Sequence, residues 1–434
     1  MKRFLMTLVL AGVSAVAHAD QLSSARTQPV NPVVEWNRTL LSIVRTAGAQ
    51  PATIHPTRSF AMLHAAIYDA VNAIDGTHAP YLVSISRDGR RETRRASQEA
   101  AAAAAAHDVL VALYPAFRST LDADLQRSLR SGSGRGDEAE GVRIGRAVAD
   151  RILALRSQDG SSAPPPTYDF GTAAGAYQST PPNFPPQPQF THWSFVTPFA
   201  LKRASQFRPR RPPSLSSDRY ADALAEVESA GIANSQTATA DEALTGQFWN
   251  GAIQNYWNEI AQTASEAHRM TTAESARLFA LLNLSLADGV IAFYDAKYTY
   301  NFWRPVTAIR AADMDDNADT TADPGWLPEV GKTGPDPSYP GAHAVISAAA
   351  AEVIVSVLKR DRLEFDVTSE VMPGVVRSFT RVSGAAEEAS LSRIFAGQHF
   401  RFDEAIGERL GRDVADFVVD HFLTRGHEHR DHDR

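Results

Sequence analysis

Residues 271–305 read TTAESARLFALLNLSLADGVIAFYDAKYTYNFWRP. Apolar residues recur three and four apart, which predicts one long helix over about 271–297. Its most apolar part, 278–294, is interrupted by Asn283 and Asp288. It therefore falls short of the ~20 uninterrupted apolar residues that a membrane span needs. The run ends on cations: Lys297, then Arg304-Pro305. Seven residues are two helical turns, so the spacing predicts both side chains on one face. Tyr298, Phe302 and Trp303 flank them, and Pro305 pushes Trp303-Arg304 toward the helix end.

The same helical period dominates outward from this stretch. It predicts helices over about 33–45, 59–74, 97–113, 137–155, 217–231, 238–264, 341–358 and 403–423. The alanine-rich 97–113 also has high intrinsic propensity. One weak strand pattern stands at 367–375. The region 161–214 carries Pro164-Pro165-Pro166, Pro181-Pro182 and Pro185-Pro186 and cannot be helical. Its aromatics (Tyr168, Phe170, Phe184, Phe190, Trp193, Phe195) favour a segment that wraps the core. These patterns predict an all-α protein of about a dozen helices. No domain boundary and no 20–50-residue repeat interrupts 20–425, so it reads as one helical domain whose chemistry-bearing core is about 270–425.

The chain opens with Lys2-Arg3, an apolar stretch over 4–16 and Ala17-His18-Ala19. That order reads as a secretory signal peptide over 1–19, which predicts a periplasmic or secreted protein with no membrane span. Loss of the two positive charges takes the formal charge from −7 to −9. A mildly acidic surface argues against nucleic acid as a partner. There is no cysteine, hence no disulfide framework or thiolate chemistry. The end, GHEHRDHDR over 426–434, reads as a solvated charged tail, with adventitious metal binding as the alternative.

Two further clusters follow Lys297 and Arg304. Pro340-Gly341-Ala342-His343 precedes an apolar helical run. A turn that feeds a helix N-terminus offers free backbone N–H groups to an anion. Gly341 allows close backbone approach, and His343 projects from the first turn. Arg393-x5-His399 lies in a helix-to-turn segment, and Asp403 or a backbone carbonyl can fix the His399 tautomer. Taken singly, each cluster is matched by a structural reading: a solvated basic face, a plain helix start, a surface Arg/His pair. The pair Lys202-x5-Arg208 is a decoy, because a spacing of six turns the side chains about 120° apart. It is assigned no function.

Jointly the clusters resemble a known pattern. The chain is similar to the vanadium-dependent haloperoxidases and related acid phosphatases of the type 2 phosphatidic-acid-phosphatase superfamily. That pattern is K-x6-R-P, then P-S-G-H, then S-R-x5-H. The first matches at Lys297, Arg304 and Pro305, and the third at Ser392, Arg393 and His399. The second keeps Pro340 and His343 but has Gly341 and Ala342 where the family has Ser and Gly. Segments such as VVEWNRTLLSIVR, FWNGAIQNYWNEIA and HFRFD look like bacterial haloperoxidase sequence.

The resemblance implies a helical bundle that holds vanadate, or phosphate in the same site. His399 would bind vanadium directly. Lys297, Arg304 and Arg393 would hold the oxygens, with the backbone at Gly341 and Ala342 beside them. His343 would be the acid–base group. The implied catalytic set is His343, His399 and Lys297. The implied substrates are hydrogen peroxide and a halide, bromide or iodide rather than chloride. The alternative is an exported acid phosphatase that acts on a phosphate monoester through a phosphohistidine. A second alternative is an oxyanion-binding helical protein without turnover. Bacterial relatives suggest a homodimer. Two positions depart from the family: Asp336 stands seven residues before His343, where an aromatic or histidine is frequent, and Tyr294 stands where tryptophan is frequent. A carboxylate at 336 repels halide unless it is protonated or paired.

Overall fold

A computed structural model describes residues 31–84, 93–132 and 136–425. The leader reading at 1–19 and the tail reading at 426–434 lie outside them. The elements run α1 (Pro32–Arg45), α2 (Pro56–Asp75), α3 (Gln98–Leu113), α4 (Arg118–Ser131), α5 (Glu138–Arg156), α6 (Asp218–Ala230), α7 (Ala240–Phe248), α8 (Ile253–Ala267), α9 (Thr272–Tyr300), α10 (Pro305–Arg310) and α11 (Ala342–Leu358). The hairpin β1 (Arg362–Thr368) and β2 (Val376–Arg381) follows, then α12 (Val382–Phe395) and α13 (Arg401–His421). The all-α expectation holds.

Helix α9 is the axis. Thr271 caps its start, with Glu274 bonding back to the cap backbone. It is long and apolar enough to cross a membrane, yet its apolar window is 94% buried inside the protein. The two residues that interrupt its apolar run explain the burial. Asn283 pairs with Asn258 at 3.0 and 3.1 Å. Asp288 accepts the backbone N–H groups of Phe199, Ala200 and Leu201 at 2.6, 2.7 and 2.7 Å. Each buried polar group is thus satisfied by protein. On one side α9 packs on α2, which packs on the α3–α5 pair; on the other it packs on α11 and α13, and α11 in turn packs on α12.

Helices α11 and α13 approach closely because glycine lines their crossing. A Cβ on Gly411 would lie 2.2 Å from the Val345 carbonyl oxygen, and one on Gly407 would lie 2.6 Å from the Gly341 carbonyl oxygen. This crossing sets the His343 turn against the start of α13, just after His399. Gly411→Ala is expected to cost about 1–3 kcal/mol by overpacking. Chemical denaturation reads the cost, and an unchanged midpoint would contradict the close crossing.

Two expectations are corrected. The strand expected at 367–375 is instead the end of β1 plus a turn, because Pro373-Gly374 breaks it and Gly374 takes φ 87°. The true strand, β1, alternates buried Leu363, Phe365 and Val367 with charged neighbours. The helix expected at 238–264 is two helices, broken at 249–252. A Cβ on Gly251 would lie 2.6 Å from the Tyr256 hydroxyl, so the chain there needs glycine. Helices α4 and α10 were not anticipated, and α12 only at its end, in the helix-to-turn segment at Arg393; α4 buries only Leu121 and Leu125, too thin a stripe to read.

The segment 161–214 wraps the core, as its aromatics suggested. Tyr177 and Trp193 are buried, while Phe184 and Phe195 remain exposed. Backbone bonds tie it to the chain after α9: Tyr177 N–H to the Asn301 carbonyl at 2.7 Å and Trp303 N–H to the Gly175 carbonyl at 2.9 Å.

Candidate active site

Lys297 and Arg304 do converge, though not along one helix face. Helix α9 stops at Tyr300, where Asn301 adopts a left-handed φ of 50°. The chain then doubles back, pinned by the bonds to Gly175 and Tyr177 and by Ser338 N–H to the Phe302 carbonyl at 2.9 Å. Arg304 is extended, at the N-cap of α10. Pro305 starts a new helix instead of closing the old one. Lys297, fully buried, donates to the Pro337 carbonyl and, at 3.1 Å, to the Ser338 carbonyl. Arg304 donates to the Asp336 backbone carbonyl at 2.8 Å and to the Gln398 carbonyl at 3.0 Å.

Asp336 stands between these two cations. It forms a close ion pair with the Arg304 guanidinium and lies 3.6 Å from the Lys297 ammonium. The carboxylate that the sequence flagged as a hindrance is therefore paired. It acts as an internal counter-ion inside the cradle.

His399 faces the same group. Its Nε2 lies 2.9 Å from an Arg304 N–H, so it is the acceptor and carries the lone pair. Its Nδ1 lies 3.1 Å from the Asp403 carboxylate, which assigns the proton to Nδ1. Ser338 Oγ donates to the same Asp403 oxygen at 2.5 Å, and the Phe400 N–H donates to it at 3.1 Å. Burial, then the charges of Arg304, Lys297 and Arg393, hold the His399 imidazole well below its ordinary range. A neutral imidazole with its lone pair turned toward fixed cations is what a metal–oxygen anion needs as a ligand.

Arg393, at the end of α12, closes the cluster. One of its terminal nitrogens donates to Gln398 and, at 3.3 Å, to Asn250. Its Nε and Nη1 are buried with no hydrogen-bond partner among the described residues. Two orphaned guanidinium donors at such a depth cost free energy unless an acceptor meets them. They fit a multiply charged oxyanion. Burial pulls Arg393 down to about 10 against the opposing charge of Glu404.

The anion turn is also in place. Gly341 is the N-cap of α11 with no side-chain cap, which leaves the first N–H groups, including those of Ala342 and His343, open to a ligand. A Cβ on Gly341 would lie 2.1 Å from Glu404 Oε1. The space that the family's serine would need is taken by a buried glutamate, which explains glycine at this position. His343 donates from Nε2 to the Trp249 carbonyl at 2.9 Å, so its lone pair is on Nδ1. Burial, then Arg393, hold it well below its usual range. The break between α7 and α8 therefore supplies both the Trp249 carbonyl and Asn250.

The decoy behaves as expected. Arg208 pairs with Asp295 at 2.6 and 2.7 Å, and Lys202 is exposed. Sequence reasoning missed Glu404, Gln398, Ser338 and Asn250, which carry no motif signal. It also missed His55, the N-cap of α2. His55 packs 5.2 Å from Phe190 and 6.3 Å from Tyr294 between ring centroids, and the Asp336 charge acts on it. His55-Pro56 reads as a helix start, but no spacing ties it to residues 280 positions away.

Burial, opposed by Asp336, pulls Lys297 down to about 8. The charged ammonium attracts an anion, so oxyanion affinity should be full below about 8 and fall as pH rises through it. Calorimetric titration with phosphate between about pH 8 and 9.5 is expected to show a loss approaching about tenfold per unit. A flat affinity over that window contradicts the assignment.

Fixed cations, an open helix N-terminus and one imidazole lone pair, all inside a helical bundle, define a class: proteins that bury a tetrahedral oxyanion. The comparisons with known proteins agree. Residues 277–426 match the family model described as the VCPO second helical-bundle domain. The chain is 26% identical over 493 aligned positions to the vanadium chloroperoxidase of Curvularia inaequalis, covering 86% of this chain and 79% of that protein. Among solved structures, a bacterial vanadium-dependent iodoperoxidase superposes with a TM-score of 0.77 at 26% identity, covering 91% of this chain and 97% of that one. A holo-type bacterial vanadium-dependent chloroperoxidase shares the fold with a TM-score of 0.65 at 16% identity, covering 91% and 93%. By motifs, fold and these likenesses, the chain is similar to the vanadium haloperoxidases.

Proposed function

We propose that this protein is a vanadate-dependent haloperoxidase that oxidises bromide or iodide with hydrogen peroxide. The observation that carries the reading is the His399 Nε2 lone pair set among Lys297, Arg304 and the orphaned donors of Arg393. Bromide and iodide are read as the substrates because they give up electrons more readily than chloride. The similar bacterial iodoperoxidase supports the same direction.

His399 would hold vanadium through Nε2, with Asp403 keeping the proton on Nδ1. Lys297, Arg304 and Arg393 would bind the oxygens by charge-assisted hydrogen bonds, and the N–H groups at Ala342 and His343 would complete the ring. When bound, vanadate supplies a Lewis acid that makes hydrogen peroxide electrophilic without a change of metal oxidation state. His343 Nδ1 takes the peroxide proton and returns it, while its Nε2–H stays on the Trp249 carbonyl. Halide is oxidised to hypohalous acid, and peroxide is reduced to water with uptake of one proton. The leader read at 1–19 would place this chemistry in the periplasm or outside the cell; the N-terminal sequence of the mature protein tests that.

Two assays on one preparation test the activity. The protein loaded with orthovanadate is expected to brominate a dye acceptor when peroxide is added. Hydrolysis of an aryl phosphate, inhibited by vanadate and without any halogenation, would overturn the reading in favour of a phosphatase. Neither activity, with tight phosphate binding, would make it a binding protein.

A further inference from the structure

A second cavity, rich in arginine, lies behind the cradle. It has a volume of about 540 Å³. Five arginines line it: Arg208, Arg210 and Arg211 from the extended segment before α6, Arg219 from the start of α6, and Arg409 from α13. Asp413 is the one carboxylate in its lining. Arg208 is committed to Asp295, and Arg409 touches Asp413 at 3.9 Å. Arg210, Arg211 and Arg219 pair with no carboxylate among the described residues. This concentration of positive charge stands on a chain whose formal net charge is −7. Like charges gathered without partners repel one another, so a ligand that neutralises them binds favourably.

The backbone beneath the arginines is fixed. Tyr339 donates its hydroxyl to the Arg210 carbonyl at 2.7 Å, and Tyr300 donates to the Pro209 carbonyl. Pro209, Pro212 and Pro213 restrict the φ angles between these anchors. Half-buried Phe207 lines its base, with Tyr339, Phe402 and Leu410 almost wholly buried beneath it. Tyr339 and Phe402 have their rings 6.3 Å apart, tilted at 45°. Guanidinium groups bind carboxylate, sulfonate or phosphate through paired N–H donors and stack on flat π systems. A volume in the range typical of small-molecule sites admits a ring together with its charged groups.

We propose that this cavity is a binding site, separate from the vanadate cradle, for a small organic polyanion with a flat ring. The acids of such a ligand engage Arg210, Arg211 and Arg219, and its ring stacks on the exposed guanidinium planes and on half-buried Phe207. Tyr339 and Phe402, in the same lining, precede Pro340 and Asp403 in the chain, so the ligand seats against the back of the catalytic turn.

The test is calorimetric titration of the full chain, holding one equivalent of orthovanadate, with benzene-1,3,5-tricarboxylate. One site per chain is expected, with affinity that falls as salt rises. The double variant Arg211→Glu, Arg219→Glu is expected to lose about tenfold or more in affinity. Both side chains are exposed, so vanadate stoichiometry and melting temperature should stay unchanged. Pyrophosphate, which has charge but no ring, should bind more weakly. Absence of tricarboxylate binding, equal binding by the double variant, or pyrophosphate binding as tight as the tricarboxylate would each overturn the proposal.

Discussion

His399→Ala is expected to reduce vanadate affinity by more than about a hundredfold, roughly 3 kcal/mol or more. The same variant should lose far less affinity for phosphate. The reason lies in what each anion takes from the site. Lys297, Arg304, Arg393 and the start of α11 serve any tetrahedral oxyanion by charge and hydrogen bonding. Only vanadium can accept the Nε2 lone pair as a coordinate bond. The lone pair is available because Asp403 holds the proton on Nδ1 and because burial and three cations keep the ring neutral. Equilibrium dialysis with both anions reads the difference. Equal losses for phosphate and vanadate would show that His399 acts as a structural residue and not as a ligand.

Asp336→Asn has the opposite expected sign: phosphate and vanadate should bind about 10- to 100-fold more tightly. Asp336 lies 3.6 Å from the Lys297 ammonium and in close contact with Arg304. An incoming anion competes with it for the same donors and is repelled by it. At such separations a unit charge is worth about 4 kcal/mol at an effective dielectric constant near 20, so a gain of 1–3 kcal/mol is a modest share of that. Without its counter-ion, however, the ligand-free variant leaves two buried cations unpaired, and it is expected to melt at a lower temperature. Added phosphate should restore the melting temperature by mass action. Weaker oxyanion binding by Asp336→Asn would mean that Asp336 serves to aim Lys297 and Arg304, and that its charge does not tune the cradle.

The long helices were legible because period and propensity agree locally: α9 and α11 carry continuous apolar patterns, and α3 is half alanine. The residues of the cradle were legible through spacing and resemblance. How they meet was not. The seven-residue spacing of Lys297 and Arg304 suggests one helix face, yet Asn301 ends the helix and bonds to Gly175 and from Tyr177 fold the chain back. That turn depends on a segment more than 120 positions earlier, which no local pattern encodes. Glycine at 341 looked like a loss until Glu404 was found in the space of the missing side chain. Asp336 looked like a defect because its pairing with Arg304 spans 32 positions. His55 was hidden for the same reason: it reaches the site from the other half of the bundle.

On the proposed function, Lys297, Arg304, Arg393 and His399 form one buried site for a tetrahedral oxyanion that includes vanadate. Equilibrium dialysis of the full chain against orthovanadate, with and without competing phosphate, tests it most directly. The account requires one vanadate per chain, displaced by excess phosphate, and absent from His399→Ala. No saturable vanadate binding by the unaltered protein, or binding that excess phosphate leaves untouched, would contradict it.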